Sequence, residues 1–73
     1  VAEVYIKTAV RLNELYRNPL NLAESLYELG LLYKYRKKVD DAKYVLNKSL
    51  RQFQKVSAHH NIAVVEKEIV SLE

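Results

Sequence analysis

The sequence has no cysteine and no methionine, and only one glycine and one proline among its 73 residues. Without cysteine, neither a disulfide framework nor a thiolate zinc site can reinforce a small core; the compartment stays open, with the cytosol slightly favoured. Scarce glycine and proline, set against abundant Leu, Ala, Lys, Glu and Arg, argue against strands and for helices joined by short connections. No apolar run approaches the roughly 18–20 residues that cross a bilayer, and no basic stretch leads into an apolar one as in a signal peptide. The segment therefore reads as soluble, with no membrane partner. The missing methionine, absent even at the first position, suggests a piece of a longer chain.

What is present sets further bounds. This length allows one small domain, whose core alone supplies a few kcal/mol, so the fold must be simple or completed from outside. The net charge of +3 is modest and acidic residues are interspersed throughout. A dedicated nucleic-acid binder carries a stronger imbalance.

Apolar spacing divides the chain into four helical segments. Residues 1–17 carry Ala2, Ile6, Ala9 and Val10, and also Val4, Tyr5, Leu12, Leu15 and Tyr16, a stripe wide enough to be apolar nearly all round. Asn18 and Pro19 break this pattern. A second helix is expected from Asn21, which with Glu24 three residues later fits a capping box. Leu22, Leu26, Leu29 and Tyr33 form its apolar side, and Lys34, Arg36, Lys37 and Lys38 suit its C-terminal dipole. Asp40 and Asp41 open a third helix for the opposite electrostatic reason; its face is Ala42, Leu46, Ser49, Leu50 and Phe53, and it runs to about Lys55. A fourth starts between Ser57 and Asn61 and sets Ile62, Val65, Ile69 and Leu72 on one side, widened by Ala63 and Val70.

A shift of 40 residues superposes Ala2 on Ala42, Ile6 on Leu46, Ala9 on Ser49, Val10 on Leu50 and Arg11 on Arg51 without a gap. The same shift lays Asn21 on Asn61, Leu22 on Ile62, Ala23 on Ala63, Glu28 on Glu68, Leu29 on Ile69 and Leu32 on Leu72. A fixed period of this kind marks a solenoid built from helix pairs.

The central unit, with Leu26, Leu29, Gly30 and Tyr33 in one helix and Ala42, Leu46 and Ser49 in the next, resembles the tetratricopeptide repeat family. The resemblance implies an α-α superhelix of four antiparallel helices: the second helix of one repeat (1–17), a complete repeat (21–56) and the first helix of another (58–73). It also implies packing roles. Gly30 and Ala42 let the paired helices approach, and Tyr33 fills space toward the next repeat. This chain departs from the family pattern in having Lys37 near the usual turn glycine, Gln54 at the usual proline, and a period longer than the common one of about 34. Kinesin light chains and bacterial peptide-sensing regulators have long repeats too.

In this family ligands lie in a concave groove lined by first helices. Carried over, the groove positions are Glu24, Tyr27, Glu28, Leu31, Lys34 and Tyr35, then Val64, Lys67, Glu68 and Ser71. Tyrosine suits such a surface, because it offers large area with a polar tip at low entropic cost. One subclass grips a ligand's terminal carboxylates with basic and amide side chains. Glu28 and Glu68 occupy a recurring position that would oppose this, so a mixed or a basic and apolar peptide is the expected ligand.

Other chemistries have weaker support. The run Tyr33-Lys34-Tyr35-Arg36-Lys37-Lys38 interleaves aromatic and basic residues, as some nucleic-acid surfaces do, but is explained by packing and by the helix end. His59 and His60 are adjacent, so in a helix they diverge by about 100° rather than converging on a metal. Neither a phosphate-binding glycine loop nor a nucleophile elbow occurs. The expected function is thus protein or peptide recognition, as a scaffold, with no catalysis, cofactor or metal. The alternatives are a structural, self-associating solenoid segment, or the sensor part of a peptide-responsive regulator. Neighbouring repeats or a second copy are expected to cover the first and fourth helices.

Overall fold

A computed structural model describes residues 2–73 and contains four helices: α1 (Ala2–Leu15), α2 (Pro19–Tyr35), α3 (Val39–Lys55) and α4 (His59–Ser71). Val1, which the sequence pattern includes in the first segment, lies outside the described residues. Each helix packs against its neighbours in sequence as an antiparallel pair, and the α2–α3 pair is the most extensive. The Cα atoms extend over 31 × 30 × 14 Å. With helix axes 8–10 Å apart, that thickness corresponds to about two layers of helices. No helix of the described residues is long and apolar enough to cross a membrane.

The start of α2 corrects the sequence expectation. Its N-cap is Asn18, whose side-chain oxygen accepts from the Asn21 amide at 3.3 Å, and Pro19 is the first helical residue. Proline suits that position, because its fixed φ is helical and the amide it lacks would have been unpaired. Asn18 and Pro19 thus begin this helix. Asn21 stands three residues inside the cap and is its hydrogen-bond donor.

All three connections are built alike. The amides of Asn18, Lys38 and Ala58 donate to the carbonyls of Asn13, Tyr33 and Phe53, and those of Arg17, Lys37 and Ser57 to Glu14, Lys34 and Gln54. These pairs define a Schellman C-cap, whose central residue must adopt the left-handed conformation. Here that residue is never glycine: Arg17, Lys37 and Ser57 have φ of 53°, 61° and 53°. The departure noted at Lys37 is therefore a side chain held where its Cβ costs about 1 kcal/mol or more. Lys37→Gly relieves that cost, less what glycine adds to the freedom of the unfolded chain, for an expected net gain of about 0.5–1 kcal/mol. Thermal denaturation by circular dichroism should show the midpoint rising; an unchanged or lower midpoint contradicts this account of the turn.

Two apolar clusters share α2 between them. Leu22, Leu26, Leu29 and Tyr33 join Ala42 and Val45 of α3, with Ile6 and Val10 of α1 packed alongside. Ala23 joins Leu46 and Phe53 of α3 and Val65 of α4, with Tyr27, Ile62 and Ile69 at the margin. The seven residues assigned to packing, Leu26, Leu29, Gly30, Tyr33, Ala42, Leu46 and Ser49, are all buried. Gly30 lies against Leu46 so closely that an added Cβ would sit 2.5 Å from Cδ2 and 2.6 Å from Cγ. The buried Ser49 hydroxyl donates to the Ala23 carbonyl at 2.7 Å, fastening α3 to α2.

Tyr33 differs from its expected direction. Its hydroxyl reaches back to Glu3 of α1 at 3.4 Å, and Lys38 lies over its ring at 5.7 Å. Antiparallel packing places the end of α2 beside the start of α1, so the ring tip meets the preceding helix. Glu3 also pairs with Lys7 at 2.9 Å and with Arg36 at 2.5 Å. The Lys7 hydrogen bond, with the nearby charges of Lys7, Lys38 and Arg36, holds the Glu3 carboxyl below its ordinary range against some desolvation. The Glu3 hydrogen bond in turn raises Lys7.

Candidate functional site

Between α2 and α4 lies a cleft of about 280 Å³, lined by Glu24, Tyr27 and Glu28 of α2, Phe53 of α3, and Asn61, Val64 and Val65 of α4. Phe53 and Val65 are buried and form an apolar floor. Tyr27 and Val64 are half-buried walls, while Glu24 and Glu28 stand exposed at the rim. No ion pair engages either rim carboxylate among the described residues. Local structure explains this placement. Glu24 and Glu28 are one helical turn apart on α2, and Tyr27 lies one position before Glu28, toward the Ala23 side that packs on α3 and α4.

Four of the groove positions read from the sequence, Glu24, Tyr27, Glu28 and Val64, line this cleft. Three others meet one another instead. Lys34 Nζ lies 2.7 Å from Glu68 Oε2 and donates to Ser71 Oγ at 3.1 Å, while the Ser71 hydroxyl donates to the Glu68 carbonyl at 2.7 Å. This bridge joins the C-terminal parts of α2 and α4 beyond the cleft and spends the one groove cation of α2 on a carboxylate of α4. Leu31 is half-buried, Lys67 and Tyr35 are exposed, and none of the three lines the cleft.

Phe53, Asn61 and Val65 belong to the cleft lining although the sequence did not mark them as groove residues. Phe53 and Val65 were assigned to packing faces, and they serve both purposes because the floor of a cleft is also the roof of a core. Asn61 carried a signal in its alignment with Asn21, which spacing alone could not tie to a site.

A wider depression of about 490 Å³ lies where α1 ends, α2 begins and α3 ends, among Asn13, Glu14, Arg17, Asn18, Pro19, Leu22, Gln52 and Lys55. Its charges are mixed, it has no aromatic wall, and half of its lining is exposed. The basic run at the end of α2 is largely engaged: Lys34 with Glu68, Arg36 with Glu3, and Lys38 over the buried Tyr33 ring. His59 and His60 open α4 as exposed neighbours, and no group of three His, Cys, Asp or Glu side chains able to hold a metal occurs among the described residues.

Compared with models of known protein families, with curated proteins and with solved structures, the chain matches none.

Proposed function

We propose that the chain is a tetratricopeptide-type helix array whose α2–α4 cleft recognises a protein segment carrying basic and apolar side chains. The observation that carries this is the cleft's composition: an apolar floor of Phe53 and Val65, a Tyr27 wall, and two rim carboxylates with no cation paired to them among the described residues. On a chain of net charge +3, this concavity is locally negative because Lys34 is withdrawn into its bridge with Glu68. An apolar side chain would displace water over the floor, and a Lys or Arg would meet Glu24 or Glu28. The Asn61 amide offers both a donor and an acceptor to a peptide backbone. The close approach at Gly30, the small residues Ala42 and Ser49 at the helix contact, and the turn recurring at Arg17, Lys37 and Ser57 support the repeat assignment.

Fluorescence anisotropy with a labelled Lys/Leu decamer and its Glu/Leu counterpart tests the proposal. The basic peptide should bind more tightly. Tyr27→Ala and the pair Glu24→Lys/Glu28→Lys should each weaken its binding about tenfold or more, as loss of a central anchor does, with helical circular dichroism unchanged. Equal binding of the two peptides, or variants that bind like the parent, would refute the cleft as the site. A second role, as a structural segment that associates with itself, is favoured by the outer side of α1.

A further inference from the structure

The outer sides of α1 and α4 are chemically unlike. On α1, Ile6 and Val10 face the core, whereas Val4, Tyr5 and Leu15 are 69%, 75% and 70% exposed and Leu12 is 47% exposed; Tyr16, in the turn just after the helix, is 76% exposed. Tyr5, Thr8, Leu12 and Leu15 are spaced three, four and three residues apart, the alternation of a two-helix seam. With aromatic side chains of 150–250 Å² each, this face holds on the order of 500 Å² of apolar surface. That matches the apolar share, about 500 Å², of the roughly 800 Å² each partner buries in a stable complex, and lies in the range, about 300–600 Å², of the largest and often functional patch on a monomer.

The outer side of α4 differs. α2 receives α3 on Ala23, Leu26, Gly30 and Tyr33, and a shift of 40 residues puts Ala63, Glu66, Val70 and Glu73 at those places. All four are exposed. A helix arriving on α4 as α3 arrives on α2 would bury two carboxylates without a partner and would meet the Val70 side chain where even a methyl at Gly30 comes within 2.5 Å of Leu46. Head-to-tail stacking, α1 of one copy on α4 of the next, is therefore blocked on the α4 side.

We infer that a second copy of this chain covers α1, by the same face of α1, so that assembly closes at a dimer. A surface that is complementary to itself closes about a two-fold axis, whereas a head-to-tail contact propagates. This inference stands apart from the cleft, which lies on the α2–α4 side, and peptide binding neither requires nor excludes it.

Sedimentation velocity across a concentration series, paired with tyrosine nitration of the unaltered chain, decides the matter. The expected species has twice the 8.5 kDa mass of the chain, with Tyr5 and Tyr16 protected while the exposed Tyr35 and Tyr44 react. Leu12→Lys/Leu15→Lys should weaken the dimer about tenfold or more and restore nitration of Tyr5 and Tyr16, while Val70→Lys should change neither. A monomer at submillimolar concentration, growth beyond a dimer, or a dimer in which Tyr5 and Tyr16 react freely would each overturn it. The nitration pattern needs no substitution, so the test survives a variant that fails to fold.

Discussion

Truncating Leu46 to alanine is expected to destabilise the fold by about 2–5 kcal/mol, the range for a fully buried leucine whose loss leaves a cavity. Leu46 has no exposed surface and joins Ala23 of α2, Phe53 of α3 and Val65 of α4 in one cluster, so three helices line the space it leaves. At about 0.05–0.15 kcal/mol per residue, a chain of this size has on the order of 4–11 kcal/mol in total. The substitution therefore removes a large share. Urea denaturation followed by circular dichroism should show the midpoint falling by about 2 M or more with the slope preserved, since slopes for small domains are near 1 kcal/mol/M. A midpoint within about 0.5 M of the parent would mean that Leu46 is not at the centre of the packing.

Gly30→Ala should destabilise as well, although alanine is the better helix former by about 1 kcal/mol. Space decides the sign. The new methyl would lie 2.5–2.6 Å from both Cγ and Cδ2 of Leu46, so overlap is with the branch point and not only with a tip that a rotamer change could remove. Leu46 is enclosed and cannot move aside. Overpacking of this kind costs about 1–3 kcal/mol, leaving a net loss of up to about 2 kcal/mol after the helical gain. The double variant provides the stricter measurement, because alanine at position 30 would part-fill the cavity left by Leu46→Ala. Its loss should fall short of the two single losses combined, by about 0.5–3 kcal/mol. Additive losses would show that the two positions do not touch.

These contacts also indicate what was legible in the sequence. The apolar sides of α2 and α3 were, because each repeats at helical spacing over 17 residues and its members, Leu22 to Tyr33 and Ala42 to Phe53, face a core. Gly30 was marked only through the resemblance to the repeat family, which implies a small residue where the paired helices meet; a mid-helix glycine costs stability, and here the contact with Leu46 takes up the room it leaves. The α2 start was misplaced because Asn18 and Asn21 are both plausible caps, and a glutamate three residues after Asn21 favoured the wrong one. Only the 3.3 Å bond from the Asn21 amide to Asn18 separates them.

Long-range polar pairing was the part hidden from view. Lys34 and Glu68 were both assigned to a groove, and nothing local indicates that they neutralise each other across 34 positions of sequence. Tyr33 likewise could have reached forward or back. Its direction follows from the antiparallel placement of α1, which brings Glu3 to the end of α2. Of the cleft, the wall and rim residues Glu24, Tyr27, Glu28 and Val64 were given by the groove pattern that the family resemblance implies. The floor was not, because a residue buried beneath a surface has the same pattern as one buried anywhere.

The nearest-neighbour packing of the helices has a kinetic consequence. Every extensive contact joins helices adjacent in the chain, α1 with α2, α2 with α3 and α3 with α4, across connections of a few residues. Little loop entropy must be lost before these contacts form, and chains with such local topology fold in microseconds to milliseconds. The α2–α3 hairpin, which holds most of the core, is the natural nucleus, with α1 and α4 condensing onto it from either side. The outer helices would then be the last to dock and the first to leave.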